Sequence, residues 1–287
     1  MINLNFSESI RARTPGSEPA AVTHDLHRQA LFDPAYLDTL LQGVPSQSIK
    51  SKTAYQARNE DFNVQQLSRT DLQALLSDPA RDVWVTLHEI EQVPTLRGVF
   101  AAMANALRSS LPPRYGNVQY CTGSLFISRG KASTPFHMDY GSNLLLQLAG
   151  EKRFLAYSPN DPEMVSKQSL GEFFRGEANP LSQVYDPSFD QRALTVELKP
   201  GLGVYMPSTS PHRTETLSRD LSITASLSFV SPLADQIRRA SLFDTRLPGL
   251  RFLPDPVKYG VVAIDEWLER LKGHDEVRHK SFKRPAF

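Results

Sequence analysis

The stretch that decides the fold is Thr134–Pro159, TPFHMDYGSNLLLQLAGEKRFLAYSP. It contains the one H-x-D pattern of the chain, His137-Met138-Asp139, followed by two runs rich in β-forming residues that a glycine-containing turn separates. In an extended strand, residues i and i+2 point to the same side. On a strand, the His137 imidazole and the Asp139 carboxylate would therefore project into one cavity.

A metal site needs a third ligand from a distant strand, and His212 is the candidate. It follows a turn, a short strand and a proline stop in Pro200–Glu215, PGLGVYMPSTSPHRTE. A lone H-x-D pattern is more often a surface pair, so this second segment is what favours a site. Two neutral imidazoles and one carboxylate leave positions open on a non-haem Fe(II) ion for a cosubstrate and dioxygen.

Short β-rich runs separated by turn residues fill the middle of the chain and predict a barrel or a sandwich. The clearest run alternates between apolar residues on one face and Ser222, Thr224, Ser226 and Ser228 on the other. This polar face either lines a wet cavity or faces solvent. The predicted strands are Val118–Ser128, Asn143–Ala149, Arg153–Tyr157, Ala193–Leu198, Gly203–Met206 and Leu221–Phe229.

Helices are predicted on both sides of this region, and residues 1–28 have neither a helical nor a strand period, which predicts an irregular arm. We divide the chain into an arm with a helical and strand buttress (1–112), a jelly-roll core (113–232) and a C-terminal helical segment (233–287). The Pro-containing segment 158–192 is predicted to be an insertion at the entrance. The predicted helices are Pro34–Leu41, one from Ser68 or Thr70, one after Pro94 with an apolar stripe from Leu96 to Leu107, Ala234–Phe243, and the stripe Val261–Leu271.

Composition narrows the function classes. The 287 residues include 32 Lys and Arg against 31 Asp and Glu, so the net charge of +1 disfavours a broad nucleic-acid surface. One cysteine, Cys121, excludes an internal disulfide and thiolate-rich zinc sites. The sequence contains no run of about 18 apolar residues, so no membrane span is predicted. The expected location is the cytoplasm.

These blocks resemble the JmjC and cupin-like Fe(II)/2-oxoglutarate oxygenases. The nearest branch is that of the asparaginyl hydroxylase acting on hypoxia-inducible factor, with T-P-x-H-x-D, then N, Q and G-x-K at the same spacings. The segment Pro200–Phe229 resembles the family's P-G-D…P…H block, although Gly201 is followed by Leu202 instead of Asp. The resemblance implies a double-stranded β-helix, a jelly-roll barrel of about eight strands that is mainly β with flanking helices.

The resemblance also implies roles for individual residues. Iron would be bound by His137, Asp139 and His212. Lys152 matches the lysine that pairs with the distal carboxylate of 2-oxoglutarate, and a buried dicarboxylate independently requires such a cation. The alternative for Lys152 is a solvated strand-end lysine. The remaining cosubstrate-binding candidates are Thr134, Asn143 and Ser226, which stands where the branch has an asparagine; for Thr134 and Asn143 the alternative is a hydrogen-bonded turn.

The implied function is that of an Fe(II)- and 2-oxoglutarate-dependent dioxygenase that hydroxylates an amino-acid side chain of a peptide or protein. A demethylase or a small-metabolite hydroxylase of the same chemistry is the alternative. A non-catalytic cupin-like binding or regulatory module is the opposing class. A zinc or manganese cupin isomerase is a further alternative, but such enzymes tend to use an H-x-H pair, which this chain lacks.

The sequence says less about the substrate. Phe173, Phe174, Arg175 and Tyr185 of the insertion are candidate contacts. The expected partner is a peptide, a protein or a small molecule. A membrane is not an expected partner, and a nucleic acid is disfavoured. A homodimer through the C-terminal helical segment is a further expectation, and the basic residues of 270–287 are the place for a polyanionic partner. His24 and His27 have helical metal-ligand spacing but lie in the arm, so we discount them.

Overall fold

The computed structural model describes residues 2–6, 17–29, 32, 37–51, 65–176, 185–250 and 252–271. Within them, the strands are β1 Leu4–Phe6, β2 Ala20–His24, β3 Ile49–Ser51, β4 Gln65–Gln66, β5 Val83–His88, β6 Tyr120–Arg129, β7 Ser133–His137, β8 Ser142–Ala149, β9 Lys152–Ala156, β10 Leu194–Leu198, β11 Leu202–Met206, β12 His212–Thr216 and β13 Ser222–Val230. The α-helices are α1 Leu37–Gln42, α2 Arg69–Ser77, α3 Pro94–Ser110, α4 Pro113–Gly116, α5 Lys167–Phe174, α6 Pro232–Arg246 and α7 Asp255–Leu271.

The strands form two sheets in which every pairing is antiparallel. The larger sheet has the order β1-β2-β11-β8-β13-β6-β5-β3-β4, and the smaller one has the order β10-β9-β12-β7. One apolar cluster contains side chains of both sheets, so the sheets face each other across a common interior. This architecture confirms the predicted cupin-like jelly roll with flanking helices.

The alternation in β13 separates the core from the interior of the barrel. Ile223, Ala225, Leu227 and Phe229 belong to the main core cluster, together with Phe100 of α3. Burying this apolar face contributes about 25 cal/mol for each Å² removed from water. Close packing also requires Gly123 on β6, since a Cβ there would come within 2.8 Å of the Phe100 ring. The opposite, hydroxyl-bearing face of β13 is left for the space between the sheets.

The structure differs from the sequence predictions in the N-terminal arm and in the insertion 158–192. The arm is not wholly irregular: Leu4–Phe6 and Ala20–His24 are strands, because Ala20–His24 pairs with β11 on one side and with Leu4–Phe6 on the other, which satisfies their backbone hydrogen-bonding groups. The insertion 158–192 contains α5, which packs against α6. The part of the predicted first helix at 34–36 lies outside the described residues.

Among the described residues, most of the exposed large apolar side chains lie in the C-terminal segment. Val261 and Ile264 on α7 are 40% and 60% exposed, and Phe252 just before this helix is 78% exposed. Dimerisation through this segment remains a prediction, and most of its basic tail lies outside the described residues. Across the part of the chain that is described, no helix combines the length and apolarity needed to cross a bilayer.

Candidate metal centre

Three side chains converge at one end of the barrel: His137 at the end of β7, Asp139 just after that strand, and His212 at the start of the neighbouring β12. Nε2 of His137 lies 3.8 Å from Oδ1 of Asp139, and Nε2 of His212 lies 3.6 Å from Oδ2 of the same carboxylate. One ligating atom from each residue falls within 4.8 Å of the others. The nitrogen–oxygen separations exceed hydrogen-bond length, so the groups are arranged to share an ion rather than to bond each other. The triad could hold a metal ion.

Backbone carbonyls set the tautomer of both histidines. Nδ1 of His137 lies 2.8 Å from the Pro135 carbonyl oxygen, and Nδ1 of His212 lies 3.0 Å from that of Ser210. Because a carbonyl only accepts, each Nδ1 carries the proton and each Nε2 presents a lone pair to the cluster. Burial and the adjacent His137 ring lower the pKa of His212 to about 4. The imidazole of His212 is therefore neutral, as a metal ligand must be.

Asp139 does not lie on a strand, so the prediction that strand alternation places it beside His137 is wrong. Strand β7 ends at His137, and Asp139 lies beyond it in irregular backbone. The carboxylate reaches the site because the Ser208–Ser210 turn binds this backbone: the Thr209 amide donates to the Asp139 carbonyl at 3.0 Å, and the Ser208 hydroxyl donates to the Tyr140 carbonyl at 2.6 Å. The turn, not strand alternation, sets the position of Asp139.

This turn stores backbone strain beside the ligands. Thr209 is buried and has φ of 62°, a left-handed conformation that β-branched residues rarely adopt. The neighbouring Ser210 hydroxyl donates to the Tyr157 carbonyl at 2.7 Å, which anchors the same turn to the end of β9. Strain of this kind persists only where surrounding contacts hold it, and it clusters at functional sites.

Asn143 contacts Asp139, one of the three candidate metal ligands. Its side-chain amide donates to Oδ2 of Asp139 at 2.8 Å, because a carboxylate can only accept. Its carbonyl oxygen accepts from the hydroxyl of Ser228. Both polar ends of Asn143 are thus engaged by protein. The sequence analysis singled out Ser226, but the serine that reaches Asn143 is two residues further along β13.

The other end of the interior contains Lys152, the first residue of β9. It alternates with Phe154 and Ala156, and the Phe154 ring stacks on His212 at 5.7 Å, which places Lys152 on the cavity side. Lys152 is only 7% exposed. Burial lowers the pKa of its ammonium group to about 7, and no carboxylate of the described residues offsets this effect.

Hydroxyl groups surround this lysine end. Thr216, the partner of Lys152 across the sheet, donates to the Ser128 hydroxyl at 2.9 Å. Thr134 on β7 accepts a 3.2 Å hydrogen bond from the indole of Trp84 on β5. The Ser226 side chain is buried on the same face of β13 as the hydroxyl groups of Ser222 and Thr224, which bond to the amide of Gln147. The polar face of β13 therefore lines the interior and does not face solvent.

The candidate substrate contacts of the insertion are mostly internal. Phe173 and Phe174 are buried in an apolar cluster with Leu242 of α6. The Tyr185 hydroxyl donates to Asp190, and its ring lies 5.2 Å from that of Phe136. These aromatic residues attach the insertion to the outside of the small sheet. Arg175 is the exposed member of the predicted set.

The discounted histidine pair does not form a second site. Nε2 of His24 donates to the Leu202 carbonyl at 3.1 Å, and its Nδ1 accepts from the Leu26 amide at 3.1 Å. Both ring nitrogens are thus occupied by backbone, which leaves no lone pair for a metal. Burial also lowers the pKa of this ring to about 4. His24 serves to fasten β2 to β11.

Comparison with known proteins agrees with this architecture. A scan against protein families matches residues 31–230 to the cupin-like domain. The chain belongs to this family. Among solved structures, the X-ray structure of E. coli ycfD has 16% identity and a TM-score of 0.54 over 97% of this chain and 70% of that one. The Escherichia coli ribosomal oxygenase YcfD structure has 14% identity and a TM-score of 0.51 over 97% and 69%. At these identities the likeness shows a shared cupin-like fold. A search of curated proteins returned no match.

Proposed function

We propose that this cupin-like protein is an Fe(II)- and 2-oxoglutarate-dependent oxygenase. The observation that carries the proposal is a pair of features at opposite ends of one interior: a His-Asp-His triad and a buried lysine that has no anionic partner among the described residues. A buried cation is costly unless a counter-ion neutralises it. A dicarboxylate that reaches from the metal to Lys152 would supply that counter-ion.

The residues present fit both groups. Neutral imidazoles and one carboxylate are a donor set for Fe(II) that leaves sites free for other ligands. Lys152 lies four residues from Ala156, the residue opposite His212, so the two ends are about 13 Å apart along β9. A five-carbon dicarboxylate together with the side chains of a lysine and a histidine spans such a gap.

When bound, iron with 2-oxoglutarate and dioxygen supplies decarboxylation of the oxo acid to succinate and carbon dioxide, with transfer of one oxygen atom to a substrate C–H bond. The chain's residues do the rest. His137, Asp139 and His212 would hold the metal, and Asn143 orients the Asp139 carboxylate. Lys152 and Thr134 would bind the distal carboxylate, and Ser226 would border the chain of the oxo acid. The burial of Lys152 keeps bulk water from the end of the interior where the distal carboxylate would bind.

For the substrate, we favour an amino-acid side chain of a peptide or protein. Support comes from the resemblance of Thr134–Pro159 to the asparaginyl hydroxylase branch, and from a fold relative, the Escherichia coli ribosomal oxygenase YcfD. The Asp139 side chain is 46% exposed, so the triad is accessible from outside, as a macromolecular substrate requires. Demethylation and small-metabolite hydroxylation would use the same centre. The substrate assay below distinguishes these reactions from the hydroxylation of a peptide or protein.

The experiment is uncoupled turnover, with succinate measured after anaerobic loading with Fe(II), addition of 2-oxoglutarate and exposure to air. We expect succinate from the wild-type chain and none from Asp139→Ala. Candidate peptides and metabolites are then added, and the true substrate raises succinate output and gains one oxygen atom in mass.

A non-catalytic cupin-like module is the second candidate function. It predicts no succinate at any metal or 2-oxoglutarate concentration, with ligand binding preserved. The triad together with the buried Lys152 disfavours it, because a module without catalysis has no need for all four groups.

A further inference from the structure

Trp84 lies opposite the predicted cosubstrate residues and was assigned no role from the sequence. It belongs to β5, whose other face, Val83, Val85 and Leu87, is part of the main core. Trp84 therefore points into the space between the sheets. It crosses this space, and its indole Nε1–H donates to the Thr134 hydroxyl at 3.2 Å. A tilted contact with the Phe126 ring at 6.2 Å holds the indole from the side.

The direction of this hydrogen bond determines what Thr134 can do. An indole nitrogen is a donor only, so Oγ1 of Thr134 must accept from it. A threonine hydroxyl has two acceptor positions but a single hydrogen. With one acceptor position taken, the hydroxyl still has its hydrogen to donate, and no acceptor among the described residues takes it. The bond from Trp84 therefore favours presentation of the Thr134 O–H as a donor.

Strand register places this donor beside the lysine end. Trp84 is opposite Ser128 on β6, the Ser128 hydroxyl contacts Thr216, and Thr216 is opposite Lys152 on β9. Thr134 is opposite Thr214, one alternation from Thr216 on the same strand. The lysine ammonium group and the oriented hydroxyl thus belong to one end of the interior, where both present hydrogens.

We propose that Trp84 is a positioning residue for the cosubstrate: its N–H orients the Thr134 hydroxyl so that this hydroxyl donates to the distal carboxylate of 2-oxoglutarate. The inference rests on the proposed function. Two donors, the Lys152 ammonium group and the Thr134 hydroxyl, would then bind the ionised distal carboxylate. The orientation of the hydroxyl depends on Trp84, which does not itself contact the ligand.

The test is calorimetric binding of 2-oxoglutarate to the Mn(II)-loaded chain without oxygen chemistry. Trp84→Phe removes the N–H and keeps an aromatic ring. We expect it to weaken 2-oxoglutarate binding about three- to tenfold, the range of one net hydrogen bond. Oxalate can chelate the metal but is too short to reach the lysine end, so its affinity should not change. Equal losses for both ligands would mean general disturbance of the site and would overturn the proposal.

A double-mutant cycle separates positioning from packing. Thr134→Val removes the hydroxyl at nearly constant volume, and Thr134→Ser is the matched control that keeps it. In the Thr134→Val background, Trp84→Phe should cause no further loss of 2-oxoglutarate affinity, because the group it orients is absent. Independent losses that multiply, or wild-type affinity of Trp84→Phe, contradict the inference.

A second measurement does not require the Trp84 variant to fold. The chain has two tryptophans, so the two indole N–H resonances of the 15N-labelled, Zn(II)-loaded protein can be assigned. We expect the Trp84 resonance to shift when 2-oxoglutarate binds to the wild type and to shift much less in Thr134→Val. Equal shifts in both would overturn the proposal. If the wild-type chain binds no 2-oxoglutarate, the proposed oxygenase function is refuted. That outcome can be distinguished from failure of the Trp84 proposal, in which 2-oxoglutarate still binds.

Discussion

The two ends of the barrel interior differ in how completely the protein satisfies its own polar groups. At the metal end, both imidazoles donate to backbone carbonyls, and Asn143 donates to the Asp139 carboxylate. At the other end, Lys152 is buried with no counter-ion among the described residues. The first end is organised before any ligand arrives, whereas the second contains a charge that a ligand must neutralise. Such an unbalanced charge marks a binding site more directly than a satisfied network does.

The largest effect should follow from removing a ligand at the metal end. Asp139→Ala deletes the carboxylate that faces both histidines, at 3.8 and 3.6 Å. We expect metal binding to fall below detection in a titration with Co(II), whose visible bands report the coordination. Asp190→Ala, which removes a carboxylate on the outer face of the small sheet, is the control and should keep the bands. Retained bands in Asp139→Ala would mean that the ligand set is wrong.

At the lysine end, Lys152→Met should change 2-oxoglutarate binding and the stability of the folded chain in opposite directions. Removal of a buried, unpaired cation is expected to raise the free energy of unfolding of the ligand-free chain by about 1–3 kcal/mol. The same change should abolish detectable 2-oxoglutarate binding while leaving metal binding intact. Denaturant unfolding and calorimetry measure the two quantities. A variant that is both less stable and still binds the oxo acid would argue for a solvated, structural lysine.

Stability and 2-oxoglutarate affinity should also depend on pH in opposite directions, because both depend on the charge of Lys152. Because the pKa of Lys152 is lowered from 10.5 to about 7, the folded chain binds fewer protons than the unfolded one between these values. The lysine's contribution to stability should therefore rise with pH across that window. Affinity for 2-oxoglutarate should fall, roughly tenfold for each pH unit above 7, because binding requires the charged ammonium group.

Lys152→Arg is the control for this profile, since its guanidinium stays charged throughout. Affinity that declines equally in wild type and Lys152→Arg would assign the pH dependence to another group. The comparison is made on the Mn(II)-loaded protein, with oxalate as the ligand that reports the metal end alone.

The smallest effect concerns the turn that holds the metal end together. Ser208→Ala removes the hydroxyl that donates to the Tyr140 carbonyl, next to Asp139. We expect metal affinity to fall roughly tenfold, the lower range for groups that orient metal ligands. Ser241→Ala on α6 is a matched control, because it also removes a hydroxyl that donates to a backbone carbonyl, that of Ile237, but on another element. Equal metal affinities of the two variants would show that the Ser208 bond does not position Asp139.

The sequence predicted the fold and the triad because both depend on local patterns. Alternation in Ser222–Val230 predicted one apolar and one polar face, and His212 followed from a turn, a strand and a proline. What the sequence could not show was how distant segments meet. The hydrogen bonds of Asn143 to Ser228 and of Trp84 to Thr134 join strands far apart in the chain, and no spacing rule encodes them.

Other errors have physical causes as well. Asp139 was expected on a strand, but β7 ends at His137 and the turn with the left-handed Thr209 takes over its positioning. The arm segment Ala20–His24 is too short to show a strand period by itself and becomes a strand by pairing with β11. Phe173 and Phe174 were candidate substrate contacts, yet they are buried against α6. In each case the conformation or burial depends on contacts with residues that are distant in the sequence, and a local sequence pattern does not contain that information.

The most direct measurement of the central claim is the visible spectrum of the anaerobic Fe(II)-loaded chain during titration with 2-oxoglutarate. A metal bound to the triad and chelated by an oxo acid should produce a charge-transfer band that grows to saturation. We expect this band in the wild type, its loss in Asp139→Ala, and a need for far more 2-oxoglutarate in Lys152→Met. A wild-type chain that binds iron but shows no band at any 2-oxoglutarate concentration would contradict it.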